Sequence, residues 1–286
     1  MAVKTIIDLN QVRANQRRAA AIGAEGADFL FRSVADDLAL RLSAVKRQFE
    51  RGILFAPAAV PDEALPGLLA TERHVLPEDA AGEALGLKPE RYDLAVSLLT
   101  LHETNDTPGI LAQIRRALKP DGLFLACVPG GNTLGELRES LLAAEAELTG
   151  AANARVLPFM DVRDAGGLLQ RAGFALPVID QDRRTVRYDS AFALMRDLRA
   201  TGDTSVLIER DRRPLRRSVL MRMAEVYAER FADADGRIRA TFDIISLSGW
   251  VPHESQQKPL RPGGAKTRLA DALGTVERSA GEKPGD

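Results

Sequence analysis

Residues 92–129, YDLAVSLLTLHETNDTPGILAQIRRALKPDGLFLACVP, decide the fold. Leu94, Ala95, Val96, Leu98 and Leu99 form a nearly continuous apolar run, as a strand does when both faces of a parallel sheet are covered. Thr107 is placed to cap a helix whose first residue is Pro108, where proline's missing N–H costs nothing. Ile110, Leu111, Ile114 and Leu118 then share one face, and Arg115 and Arg116 lie near the C-terminus, where positive charge is favoured. Lys119-Pro120-Asp121-Gly122 stops this helix and turns the chain into a second buried strand, Leu123 to Val128. Strand, helix and strand make a right-handed crossover, the repeating unit of a nucleotide-type α/β sheet.

Upstream, Ile53 to Pro66 reads ILFAPAAVPDEALP, a strand followed by a turn without glycine. Val34, Leu38, Leu42, Val45 and Phe49 recur at helical spacing ahead of it. Downstream, Thr133 and Glu136 have the spacing of a capping box before a long helix that carries Leu134, Leu137, Leu141, Leu142 and Leu148. A helix over Ala165 to Ala172 stops at Gly173 and leads to a strand from Phe174 to Ile179. Helical stretches near Ser190 to Ala200 and Leu215 to Phe231 precede a last strand, Ala240 to Leu247. From about Arg261, Gly, Pro and charge dominate, which predicts a mobile tail. The expected organisation is a helical entry segment over 1–52, an α/β domain over 53–260 with a helical insertion near 190–231, and a tail over 261–286.

The 286 residues carry a net charge of −1 and are 45% apolar. That suffices for a full core and speaks against a general polyanion binder, so nucleic acid is not expected as a partner. A single cysteine, Cys127, excludes an internal disulfide. No run approaches the roughly 20 apolar residues of a membrane span. The opening MAVKTIIDLNQVRANQRRAA lacks a secretory pattern, so the expected compartment is the cytoplasm, with the inner face of the membrane reached only through a partner.

Residues 92–125 resemble the central region of class I S-adenosylmethionine-dependent methyltransferases. The branch in question contains the malonyl-carrier-protein methyltransferase of biotin synthesis and the mitochondrial complex I assembly factor that modifies an arginine. Gly131 to Arg138 (GNTLGELR), Leu168 to Phe174 (LLQRAGF), Gly249 to Pro259 (GWVPHESQQKP) and Asn15 to Ala20 (NQRRAA) are similar to the assembly factor. The resemblance implies an α/β, Rossmann-like class I methyltransferase sheet with helices on both faces, its first half shortened, plus helical additions. It also implies S-adenosylmethionine as cofactor, touched by Phe55 and Ala56 after the first strand and by Leu99 and His102 after the central one. Asp79 and Glu83 are the nearest carboxylates for the ribose, in a register that stays open.

The family places a Gly-x-Gly turn where this chain has Phe55-Ala56-Pro57-Ala58-Ala59, and glycine there lets the backbone approach the ligand. Only 34 residues separate Pro57 from Tyr92. Two strand–helix repeats need about 45 to 50, so at least one element is expected to be shortened or missing. A degenerate cofactor site follows as the expectation. The implied function is a binding or assembly module for a respiratory-complex subunit or other protein. The alternative is an active methyltransferase on a small molecule, a carrier-bound acid or a protein side chain. Arginine oxidation would need an oxidant, and the sequence offers no iron-binding spacing.

Individual residues keep two readings. His102 is either a pocket-rim contact or a loop residue. His74, His102 and His253 are too scattered to predict a metal site, and Cys127 reads as core. Trp250 either lines a pocket or fills the core. Glu209 to Arg217, rich in arginine, is a docking patch or a solvated helix start. Gly130-Gly131 lacks the Lys-Ser/Thr of a phosphate loop and reads as a turn.

Overall fold

A computed structural model describes residues 5–23, 26–57, 60, 72–74, 83–150, 153–256, 271 and 274–276. The chain divides into two compact units, Met1–Pro252 and His253–Asp286. In the second, the His253 ring and the Ser255 hydroxyl are hydrogen-bonded at 2.7 Å. The expected tail over 261–286 lies outside the described residues except at 271 and 274–276.

The first unit opens with helices α1 (Leu9–Ile22) and α2 (Phe29–Ser43), followed by strands β1 (Gly52–Phe55), β2 (Glu72–His74) and β3 (Tyr92–Leu98). The helix α3 (Thr107–Ala117), strand β4 (Leu118–Pro129) and helices α4 (Gly135–Thr149) and α5 (Val162–Arg171) come next. Strand β5 (Ala175–Tyr188), helices α6 (Ala191–Thr201) and α7 (Arg217–Phe231) and strand β6 (Ile238–Trp250) complete it. The six strands run in the order β2-β1-β3-β4-β6-β5. The first four are parallel, while β6 is antiparallel to β4 and to β5.

Period-2 alternation along buried strands produces two cores. Leu94, Val96 and Leu98 of β3, with Leu123, Leu125 and Cys127 of β4, meet α2, α4, α6 and α7. Ala95, Phe124, Ala126 and Val128 face α3 and α5 on the opposite side. Helices therefore cover both faces, as the continuous apolar runs require.

Several local expectations are corrected. Asp106, not Thr107, caps α3: its carboxylate accepts from Gly109 N at 2.9 Å. The strand after α3 begins at Leu118, so Lys119 to Gly122 lie within its span, with Asp121 in the left-handed region at φ 60°. The helix α2 ends at Ser43, before Val45 and Phe49. No capping box forms at α4, which begins after a left-handed Leu134. Thr133 Oγ1 instead donates to Asp243 O at 3.0 Å, and Glu136 accepts from Thr241 N at 3.1 Å. Both polar groups tie α4 to β6, because the neighbouring strand offers them backbone partners closer to the sheet.

The last two strands are longer than expected. They extend past the parallel sheet as an antiparallel ribbon, from Arg183 opposite Asp243 to Tyr188 opposite Ile238, and α6 and α7 are inserted between them. Asp243 knots the base of the ribbon. Its side chain is fully buried and accepts from Arg183 Nε at 2.7 Å, Asn132 Nδ2 at 2.9 Å and Gln181 Nε2 at 3.0 Å. The Arg183 guanidinium holds this carboxyl below its ordinary value. Gly130 lies close beside it: a Cβ there would be 3.1 Å from Asp243 Cβ, so a side chain would push its neighbours by a few tenths of an ångström.

Candidate functional site at the carboxyl edge of the sheet

Strand order reverses between β1 and β3, and in open α/β sheets ligands bind outside the carboxyl ends at such a point. Phe55 pairs with Ser97, which brings the exits of β1 and β3 side by side. Phe55 and Ala56 are fully buried there, Phe55 against the His74 ring at 5.8 Å. Ala56 N donates to His74 O at 3.2 Å. The carbonyls of Pro57 and Val60 accept from Arg73 Nη2 at 2.7 and 2.6 Å. The end of β2 thus presents His74 rather than a carboxylate, and the β2 arginine is spent on the turn after β1.

Of the two candidate ribose ligands, Asp79 lies outside the described residues. Glu83 is held elsewhere: its two oxygens accept from the backbone N–H groups of Asn105 and Asp106. A carboxylate bonded to two main-chain donors fixes the loop ahead of α3. The structure therefore does not bring Glu83 together with Phe55 and Ala56 in a shared polar cluster.

On the β3 side the chain leaves the strand through Leu99, buried and left-handed at φ 49°, with its N–H donating to Cys127 O at 3.0 Å. A leucine in that conformation is strained, a condition that clusters at functional sites. His102 follows in a short helical turn, Leu101–Glu103, with its ring 5.9 Å from that of Phe159. Burial lowers its pKa to about 4, so the ring is neutral near pH 7. Its Nδ1 is buried without a hydrogen-bond partner among the described residues.

Sequence reading missed the group next to it. Glu103 is 7% exposed and accepts from Gln16 Nε2 of α1 at 3.1 Å. Burial, with the charge of Asp203, raises its pKa to about 8. Asp203, just past α6, is raised as well by its surroundings. Asn15 Nδ2 and Arg18 Nη2 reach Thr204 at 3.0 and 2.9 Å, and Arg210 Nη2 reaches Gln11 Oε1 at 2.8 Å. Burial and the nearby Arg199 lower the pKa of Arg18. The NQRRAA stretch thus has a place: α1 lies over this edge, held by polar groups from two distant loops. Part of the arginine-rich run serves the same contact, since Arg210 also pairs with Asp8 at 3.0 Å.

His102, Glu103 and Asp203 line an apolar cavity of about 590 Å³, mouth included, with Leu30, Phe31, Leu99 and Phe242. Among the described residues no cluster of three metal-ligating side chains occurs. Cys127 is core, hydrogen-bonded to Ser246 at 3.4 Å, its thiol raised by burial to about 11. Trp250 ends β6 half-buried and borders a separate shallow groove.

A family model described as a methyltransferase domain matches residues 14–177. The chain belongs to this methyltransferase family. A phosphoethanolamine N-methyltransferase 2 of Haemonchus contortus, solved in complex with S-adenosyl-L-methionine, aligns over 76% of this chain and 52% of its own at 14% identity and a TM-score of 0.38. The chain is 40% identical over 191 residues to "Arginine-hydroxylase NDUFAF5, mitochondrial" of Dictyostelium discoideum, covering 66% of this chain and 44% of that protein. The human protein of that name is 40% identical over 222 residues, covering 78% and 64%. A malonyl-[acyl-carrier protein] O-methyltransferase of Laribacter hongkongensis is 35% identical over 181 residues, covering 63% and 58%. The chain thus spans less than two thirds of these relatives' length. Among solved structures, the YcgJ protein of Bacillus subtilis aligns over 76% of this chain and 98% of its own, at 12% identity and a TM-score of 0.46. Among the described residues no helix is long and apolar enough to cross a membrane.

Proposed function

We propose that this methyltransferase-family chain works as a binding module in the assembly of a respiratory quinone-reducing complex, with its hold on S-adenosylmethionine weakened or lost. The observation that carries this reading is the turn after β1. Alanine and proline stand where the family has glycine, and Arg73 occupies the carbonyls of Pro57 and Val60. Glu83 is engaged with backbone amides, and His74 stands at the end of β2. These residues do not fit the nucleotide, so no chemical step is routed through it. The resemblance to an assembly factor supports a protein partner, which would bring the chain to the inner face of the membrane.

The alternative, an active methyltransferase, draws support from the apolar cavity beside His102, where orientation and exclusion of water would do most of the work. A ligand that binds the native state raises its melting temperature by mass action. Millimolar S-adenosylmethionine is expected to leave the midpoint unchanged, and a rise of several degrees would sink the binding-module reading. Affinity capture from the native membrane fraction should enrich iron–sulfur subunits of the complex. Enrichment of an acyl carrier protein instead would favour the alternative.

A further inference from the structure

The cavity beside His102 does not end at Asp203. A second, largely apolar cavity of about 700 Å³, its open mouth included, is walled by Leu137, Leu141, Met195 and Leu215 and shares Leu134, Leu157, Phe159 and Leu198 with the first. The two cavities therefore adjoin, one reaching the start of α2 and the other the segment that leads into α7. Such a space forfeits dispersion contacts along its whole length, and an alkyl chain would restore them.

The first cavity carries His102 and Glu103 on its wall. His102 Nδ1 is buried without a partner among the described residues. Glu103 lies beside it in sequence on the same cavity, bonded through one oxygen to Gln16. Near pH 7 the imidazole is neutral and the carboxyl is mostly protonated, so both can donate a hydrogen bond while neither carries charge. Two uncharged donors on the wall of an apolar cavity suit a neutral carbonyl oxygen. They do not suit a free carboxylate, which would face Glu103 and Asp203. Arg18, Arg199 and Arg155 are the nearby cations: Arg18 is directed to Thr204, and Arg155, on the second cavity, is paired with Glu145 at 2.6 Å.

We propose that the joined cavities bind an acyl chain carried as an uncharged ester, thioester or amide, with its carbonyl at His102 and Glu103 and its chain along Leu198 and Met195. This site is independent of whether the nucleotide binds.

The test titrates the full chain with methyl hexanoate, methyl octanoate and methyl decanoate at pH 7. Affinity should rise about fourfold per methylene, as burial of alkyl surface dictates. Carboxylates of equal length should bind at least tenfold more weakly. Met195→Trp should leave methyl hexanoate unaffected and abolish the gain from longer chains. His102→Phe should weaken every ester by about fivefold without changing the dependence on length. If Met195→Trp fails to fold, the His102→Phe series still decides. Affinity independent of chain length, or n-alkylamines that bind more tightly than esters of equal length, would overturn the proposal. So would esters that ignore His102→Phe.

Discussion

On one side of β1 the sheet is long and doubly covered. The strands β3, β4 and β6 span 7, 12 and 13 residues, and the side chains of β3 are buried on both faces. On the other side stands β2, three residues long and half-buried throughout. Polar links hold that edge: Glu72 accepts from Tyr92 Oη at 2.8 Å and from Arg91 Nη2 at 3.2 Å, and Arg73 clasps the turn after β1. Burial maintains the first region and hydrogen bonding the second. A sheet kept by burial can tolerate change at its polar edge, where the ligand turn lies, because the layers that stabilise the fold are elsewhere.

Substitutions can break or sharpen that contrast. The largest loss is expected from Leu98→Ala in β3, about 3 kcal/mol in urea unfolding, since Leu98 is fully buried. A loss below about 1 kcal/mol would mean that burial is not what holds the long half. Asp243→Ala comes next, at about 2 kcal/mol, because Asn132 and Gln181 lose their acceptor. The Asp243 carboxyl is lowered in the fold, so its stabilisation is complete above the unfolded pKa near 4 and declines as pH falls through the lower folded value. Unfolding curves of Asp243→Asn and the unsubstituted chain should therefore converge in acid.

Glu103 has the opposite sign. Its folded pKa, about 8, exceeds the unfolded value, so the folded state binds the extra proton and stability falls as pH rises from about 4.5 to 8. Glu103→Gln should flatten that decline, as a pair of melting series at pH 5 and pH 8 would reveal. An unchanged slope would place the titration elsewhere. The smallest effect belongs to Arg73→Ala at the short edge, about 1 kcal/mol or less, because its partners are backbone carbonyls that water can replace. A loss as large as that of Leu98→Ala would erase the distinction between the two halves.

Legibility followed the same division. Residues 92–129 disclosed two central strands and α3, because continuous apolar runs and a proline at a helix start depend on local periodicity alone. The expected shortening of the first half rests on chain length, and most of the segment it concerns, 58–59, 61–71 and 75–82, lies outside the described residues. Caps were less so: Thr107 and Asp106 are adjacent and chemically equivalent as caps, and Thr133 with Glu136 found partners on β6 that no local pattern reveals. The candidate site was half readable. Leu99 and His102 follow a recognisable strand, whereas Asp203 arrives from a loop 101 residues after His102. Glu103 escaped the sequence reading, since its burial depends on Gln16 of α1. Arg73, which closes the turn after β1, had no motif to mark it.

The docking of α1 bears on how the chain is made. Its anchors include Thr204 and Arg210, 189 and 199 residues after Asn15 and Gln11. At ribosomal speeds of about 5–20 residues per second, those anchors are synthesised roughly 10 to 40 s after the helix itself. This helix, made long before its anchors, is thus among the last to find its seat. A nascent chain stalled before Thr204 would present Asn15, Gln16 and Arg18 to whatever chaperone waits at the tunnel exit.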